Sequence, residues 1–191
     1  MQQDAKAPDF TMPVIGWRMW LASRQGSTCA LRSPLQRTAW PMHEPLEARC
    51  AIPQIRWPRR PPHHAPQFTC ECGIYAAIWR SFAPQFRPGV AYNGQLPVVG
   101  EVSLWGDVVE AECGWRGQYA YPACLYLPVV DHVEDRAFDI AQGLRGYGVG
   151  VTVVAGANPR EVLVAVEEAR RGVPVASGSV LFGTHLPGSP S

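Results

Sequence analysis

The sequence has few charged residues and no long apolar run. Charged side chains make up 17% of its 191 residues and apolar ones 47%. No stretch approaches the roughly 18 consecutive apolar residues of a membrane-spanning helix, and the polar N-terminal segment lacks the apolar core of a secretory signal. We therefore expect a folded cytoplasmic protein, in which the six cysteines are thiols or metal ligands rather than disulfides.

Motifs for several common chemistries are also missing. The glycine-rich stretch 143–150 does not match Gly-x-Gly-x-x-Gly, and it precedes a predicted strand rather than a helix. Ser177-Gly178-Ser179 lacks the Gly-x-Ser-x-Gly order of a nucleophile elbow. His132-Val133-Glu134 is not followed by Pro-Cys-x-x-Cys, so the signature of the zinc deaminases fails. The sequence therefore names no substrate and no reaction.

The charges that are present are unevenly distributed. Residues 1–66 carry nine Lys and Arg against four Asp and Glu, whereas residues 67–147 carry five against nine. A basic segment of this kind can face the phosphates of a nucleic acid, or it can face the acidic middle of the same chain. The charge pattern leaves both interpretations open.

What the first half of the chain does contain is a group of metal ligands. Two histidines and three cysteines fall within residues 50–72, on either side of a segment rich in Arg, Pro and Trp. Three thiolates and one imidazole complete a tetrahedral zinc site, which would hold the ends of a loop that has little apolar surface to bury. Buried structural thiols are the alternative. We predict a structural Zn²⁺ bound by Cys50, His63, Cys70 and Cys72.

The spacing alone does not decide between His63 and His64. We favour His63, because the six residues between it and Cys70 leave more loop to reach around the ion. A set of three cysteines and one histidine is typically a closed structural site. The alternative is a small zinc-dependent hydrolase or transferase that uses Glu71 and His64 beside an open coordination position.

Three stretches of the chain carry a resemblance. They are His-His-Ala-Pro-Gln-Phe-Thr-Cys-Glu-Cys-Gly-Ile-Tyr-Ala at 63–76, Gly-Glu-Val-Ser-Leu-Trp-Gly-Asp-Val-Val-Glu at 100–110 and Gly-Trp-Arg-Gly-Gln-Tyr-Ala-Tyr-Pro at 114–122. Together they resemble an uncharacterised family of actinobacterial proteins with a Cys…His-x-Ala-Pro-x3-Cys-x-Cys-Gly-Ile-Tyr-Ala block. The likeness covers residues 14–127. It implies His63 as the ligand and implies no activity.

Hydrophobic patterns predict a mixed fold. Strands are expected over 14–21, 27–31, 46–52, 98–110, 115–127 and 148–154, and helices over 134–145 and 159–171. The apolar run 72–79 fits a strand or a short helix. We predict one α+β domain over 12–182: a curved antiparallel sheet or small barrel with a zinc-closed loop at 50–72 and a C-terminal αβα layer at 132–172. Residues 1–11 form a lead-in and residues 183–191 a tail.

Partner binding is predicted from the loop and from the aromatic residues. Arg56, Arg59 and Arg60 supply charge for phosphate, and Trp57 offers a stacking face. Aromatic side chains on the predicted strands either fill the core or line a surface that stacks a flat ligand; they are Trp17, Trp20, Trp105, Trp115, Tyr119 and Tyr121. We therefore predict a non-enzymatic binding or adaptor module for nucleic acid or a protein partner.

Overall fold

A computed structural model describes residues 12–26, 28–50, 63–86, 95–130 and 134–172. The predicted lead-in, the tail and most of the basic loop lie outside these residues. The chain forms a mixed α+β structure that is mostly sheet. Its strands are β1 (Val14–Gln25), β2 (Thr28–Arg32), β3 (Leu46–Glu47), β4 (Ile74–Ala77), β5 (Leu96–Ala111), β6 (Gly114–Val130) and β7 (Gly150–Gly156). Its α-helices are α1 (Trp79–Phe82), α2 (Glu134–Leu144) and α3 (Pro159–Arg170).

The strands pair in the order β2-β1-β4-β6-β3, with β5 beside both β1 and β6 and with β7 beside β6. Pairing therefore closes β1, β4, β6 and β5 into a ring. The longest elements, β5 and β6, cover two segments that are rich in β-branched and aromatic residues, as β-propensity predicts. The ambiguous run 72–79 resolves into β4 followed by the single turn of α1.

The last strand lies in the segment predicted as the C-terminal αβα layer. Strand β7 runs parallel to β6, in a register that pairs Cys124 with Gly150 and Val130 with Gly156. Parallel neighbours need a long crossover connection, and α2 lies in the segment between these two strands. The sheet is therefore mixed, and the strand that was predicted for the C-terminal αβα layer joins it in the parallel direction.

Strand β3 is much shorter than the 46–52 that alternation predicts. Only Leu46 and Glu47 pair with β6, opposite Ala120 and Tyr119. The backbone N–H of Ala48 donates to the carbonyl of Gln118 at 2.7 Å; positions 51 and 52 of the predicted strand lie outside the described residues. Cys50 therefore lies in irregular chain just beyond a sheet edge.

Contacts group the chain into two compact units, and β1, β5 and β6 each contribute residues to both. In the first unit the described residues are 12–18, 40–50, 63–86 and 100–123; in the second they are 19–26, 28–39, 95–99, 124–130 and 134–172. The second unit has the larger aliphatic core, in which α3 packs on β7 and α2 packs on β2 and β7. Its fully buried side chains include Leu31, Leu125, Leu127, Leu144, Val154 and Val162.

Candidate metal centre

Irregular chain next to β3 and β4 carries the predicted ligands. Cys50 follows β3, whereas Cys70 and Cys72 immediately precede β4 in a Cys-x-Cys knuckle. Gly73 ends the knuckle at φ +124°, and a Cβ there would lie 3.0 Å from both Arg116 Cβ and Pro66 Cβ. Glycine is required at this position because a side chain would meet both the strained backbone and these two neighbours.

Four side chains converge at this point. One ligand atom each from Cys50, His63, Cys70 and Cys72 lies within 4.8 Å of the other three. The Sγ atoms of Cys50 and Cys70 are 3.9 Å apart, and His63 Nε2 is 3.4 Å from Cys72 Sγ. These distances are far longer than the roughly 2.05 Å of a disulfide, and all six cysteines are free thiols.

The two measured separations match those of a tetrahedral metal centre. With Zn–S of about 2.3 Å and Zn–N of about 2.0–2.1 Å, tetrahedral angles place two sulfurs about 3.8 Å apart and a sulfur and a nitrogen about 3.6 Å apart. The two measured distances differ from these values by about 0.2 Å or less. The four residues could therefore hold a single metal ion.

The cluster lies in a small apolar shell. Cys70 and Cys72 are buried, and Ala65 packs against them together with the half-buried Cys50 and Ala48. His63 is half-buried like Cys50, so two of the four side chains are partly open to solvent. Such a shell limits solvent access and lowers the local dielectric around a bound ion.

The pKa values of the two knuckle thiols are shifted in opposite directions. Burial disfavours ionisation of Cys70, but hydrogen bonds from the backbone of Cys72 and from the side chains of Cys72, His63 and Cys50 outweigh it and lower the pKa to about 7. Burial, reinforced by the charge of Cys70, raises the pKa of Cys72 to about 11. One of these thiols ionises readily and the other does not. A bound cation would stabilise both thiolates, so the pair favours the binding of a metal ion.

Two residues that sequence reasoning did not assign to the site contact the knuckle. Arg116 Nη1 donates to the carbonyls of Cys70 and Cys72, the latter at 2.9 Å. The Tyr75 hydroxyl donates to the carbonyl of Glu71. Both residues fall inside the blocks that carry the resemblance, but only strand pairing shows that they converge on the knuckle.

The other cysteines and the residues that a hydrolase or transferase would use are not members of the cluster. His64 and Glu71 are exposed and are not among its four members. Cys29 is buried in β2, whereas Cys113 is exposed in the β5–β6 turn and Cys124 is half-buried in β6. Within the described part of the chain, the four-residue cluster is the only group of this kind. Arg56, Trp57, Arg59 and Arg60 lie outside the described residues.

The predicted aromatic surface divides into two sets. Trp17 and Trp20 are buried and belong to the core. Four others are half-buried: Trp105, Trp115, Tyr119 and Tyr121. Trp105 and Tyr119 stack with ring centroids 6.2 Å apart and planes inclined by 30°. A partly exposed aromatic pair therefore exists on β5 and β6, in the same unit as the metal-ligand cluster.

Comparison with protein-family models, curated proteins and solved structures finds no match. Among the described residues, no helix has both the length and the apolar character needed to cross a membrane.

Proposed function

We propose that this protein is a zinc-stabilised binding or adaptor module without enzymatic activity. The cluster of three thiols and one imidazole carries the proposal, because these donors fill the four positions of a zinc tetrahedron. Cys50, His63, Cys70 and Cys72 hold the ion, and the ion ties the two ends of the loop to the knuckle before β4. The metal supplies cross-linking rather than Lewis-acid chemistry.

The composition of the cluster also argues against hydrolysis. A catalytic zinc site usually keeps one position for water, with three protein ligands. Here four protein donors lie together, and three of them are sulfurs, which lower the Lewis acidity of the ion. His64 and Glu71, the residues that the alternative of a hydrolase or transferase requires, lie outside the donor set.

Metal analysis and cobalt substitution test this assignment. We expect about one zinc per chain, removed by a strong chelator with loss of folded structure. The cobalt form should show the intense d–d bands of tetrahedral geometry and a charge-transfer band for three thiolates. A five-coordinate spectrum with bound water would instead support the hydrolase or transferase. A protein that retains no metal would overturn the proposal.

A partner is proposed on the basis of the basic loop and the aromatic pair. The arginines at 56, 59 and 60 can neutralise phosphates, and Trp57 can stack on a base; Trp105 and Tyr119 already form a partly exposed stacked pair. Base–aromatic stacking contributes about 1–3 kcal/mol per base. Nucleic acid, bound weakly, is therefore the first partner class to test, and a protein partner is the second.

Titration with single-stranded and duplex oligonucleotides separates these partners. The variant Arg56/Arg59/Arg60→Ala should bind more weakly than the native protein, and log affinity should fall with log salt at a slope of magnitude about 2–3. Arg160/Arg170/Arg171→Ala is the matched control, since it removes the same charge from exposed positions at α3 and its C-terminal end. Absence of binding at low salt, or equal binding by all three proteins, would leave a protein partner as the better proposal.

A further inference from the structure

The carbonyl groups of the Cys-x-Cys knuckle are all bound from one side. Arg116 Nη1 donates hydrogen bonds to the carbonyls of Cys70 and Cys72, and the Tyr75 hydroxyl donates to the carbonyl of Glu71 between them. Three consecutive peptide groups are thereby fixed by two side chains. A knuckle in irregular chain has no ladder of its own to hold it, so these contacts set its shape.

Strand pairing explains why these two side chains reach the same target. Tyr75 on β4 lies directly opposite Arg116 on β6. The Arg116 guanidinium carbon is 5.9 Å from the centre of the Tyr75 ring, within the range of a cation–π contact. The sheet therefore places the two side chains next to each other. Contact with the knuckle then costs little further side-chain entropy.

Tyr75 also acts on a ligand through the peptide that it binds. The carbonyl of Glu71 and the N–H of Cys72 belong to one peptide group, and in a trans peptide they point in opposite directions. With the Tyr75 hydroxyl on that carbonyl, the N–H is directed at the sulfur of Cys70, to which it donates a hydrogen bond. The hydroxyl thus orients a hydrogen bond to a metal ligand.

The charge of Arg116 has a separate role at the same place. Zn²⁺ with three thiolates and a neutral imidazole carries a net charge of −1, and such a centre is more stable beside a cation. Arg116 is half-buried and lies against the two cysteine carbonyls. Both hydrogen bonds come from the single Nη1 group, which carries two N–H donors, and the charge of the guanidinium stays fixed.

We propose that Arg116 and Tyr75 form a clamp that positions the Cys-x-Cys knuckle and balances the charge of the metal–thiolate centre. They are positioning residues, since they act through Cys70 and Cys72 rather than on the ion itself. This inference rests on the proposed metal centre. It adds that affinity for the ion and the electronic state of its sulfurs depend on two residues outside the donor set.

Three variants and a control test the clamp with zinc and cobalt as probes. Arg116→Gln removes the charge, Arg116→Lys keeps the charge but replaces the planar guanidinium with an ammonium group, and Tyr75→Phe removes only the hydroxyl. Arg160→Gln, on an exposed surface of α3, is the control for loss of one positive charge. The measurements are zinc affinity by chelator competition and the energy of the thiolate-to-cobalt charge-transfer band.

We expect Arg116→Gln to lower zinc affinity by about 10–100-fold, the usual effect of removing a residue that orients a metal ligand. The zinc affinity of Arg116→Lys should lie between those of Arg116→Gln and the native protein. Tyr75→Phe should move the charge-transfer band to lower energy, because a sulfur that loses a hydrogen bond gives up an electron more easily. A purely structural role would leave the band of the folded variants unchanged.

The outcomes separate failure of the clamp from failure of the metal centre. Native protein that binds no cobalt through sulfur would overturn both. A native thiolate–cobalt spectrum, with Arg116→Gln and Tyr75→Phe matching Arg160→Gln in affinity and band energy, would overturn the clamp alone. If Arg116→Gln does not fold, Tyr75→Phe decides: a shifted band supports the clamp and an unshifted band refutes it.

Discussion

The metal-ligand end of the first unit and the core of the second unit are held together by different means. In the knuckle region, Gln67, Phe68, Thr69 and Glu71 are exposed, and the buried residues between 63 and 72 are Ala65, Pro66, Cys70 and Cys72. In the second unit, Leu144, Val154, Val162 and Val166 are fully buried. A few small apolar side chains cannot offset the entropy of ordering a loop, whereas a cluster of large ones can. In the proposed metal centre, coordination of an ion would therefore supply the stability that apolar burial supplies in the second unit.

Removing one metal ligand should have the largest effect. Cys72→Ser should release the ion and lower the free energy of unfolding by about 4 kcal/mol or more, because loss of a bound metal is among the most damaging single changes. In a chain of this length that corresponds to a fall in Tm of about 8–16 °C. Cys113→Ser, at an exposed cysteine outside the cluster, is the matched control. Calorimetry measures the stability of each variant, and metal analysis measures its zinc content. Equal stability and zinc content in the two variants would contradict the assignment of Cys72 as a ligand.

The two histidines should differ nearly as strongly. His63→Ala removes a donor that lies 3.4 Å from Cys72 Sγ and should lose zinc, whereas His64→Ala alters an exposed side chain outside the cluster and should keep it. Zinc content after dialysis against a weak chelator distinguishes them. Retention by His63→Ala together with loss by His64→Ala would reverse the ligand assignment.

A core substitution in the second unit sharpens the comparison. Leu144→Ala should cost about 2–5 kcal/mol, since Leu144 is fully buried at the end of α2 and the change leaves a cavity. The zinc content of the folded variant should stay unchanged, because Leu144 is not a member of the metal-ligand cluster. Urea unfolding in the presence of zinc, with metal analysis of the folded variant, is the measurement. Loss of zinc from the folded variant would show that the two regions are energetically coupled.

Zinc affinity should rise with pH. The raised pKa of Cys72, about 11, means that this thiol is protonated at neutral pH without metal, and it must lose its proton to bind the ion. Each proton released makes the apparent affinity about tenfold stronger per pH unit. Calorimetric titrations in buffers of different ionisation enthalpy count the protons. Release of none between pH 7 and 8 would contradict thiolate ligation by Cys72.

The smallest expected effect lies at the start of α3. The Asn158 side chain accepts hydrogen bonds from the backbone N–H groups of Arg160 and Glu161, each at 3.1 Å. Asn158→Ala should therefore cost about 1 kcal/mol and Asn158→Gly only a few tenths, the usual difference between these residues as helix caps. Neither variant should alter zinc content. Thermal unfolding measures the difference, and a larger loss in the glycine variant would contradict the capping role.

Local pattern was enough to predict most elements but not their neighbours. The β-branched and aromatic density of β5 and β6, and Pro159 at the start of α3, are features of short stretches of chain that the sequence displays directly. The parallel pairing of β7 and the truncation of β3 depend on which strand edge is free, and that is a property of the whole sheet. The donors were predictable because metal chemistry restricts residue type and spacing. Arg116 and Tyr75 were not, because their shared target is set by pairing between β4 and β6.

In the proposed metal centre, the opposition of Tyr75 and Arg116 would make metal uptake sensitive to strand alignment. Strand β4 has only four residues, and its register on β6 pairs Ile74 with Gly117 and Ala77 with Gly114. Successive side chains on a strand point to opposite faces, so a slip of one residue would bring Tyr75 opposite a different neighbour and away from Arg116. A misaligned chain would then present an unsupported knuckle with weaker affinity for the ion. Zinc binding would thus stabilise the correct register of β4 on β6. This matters because a strand of four residues forms few pairing hydrogen bonds of its own.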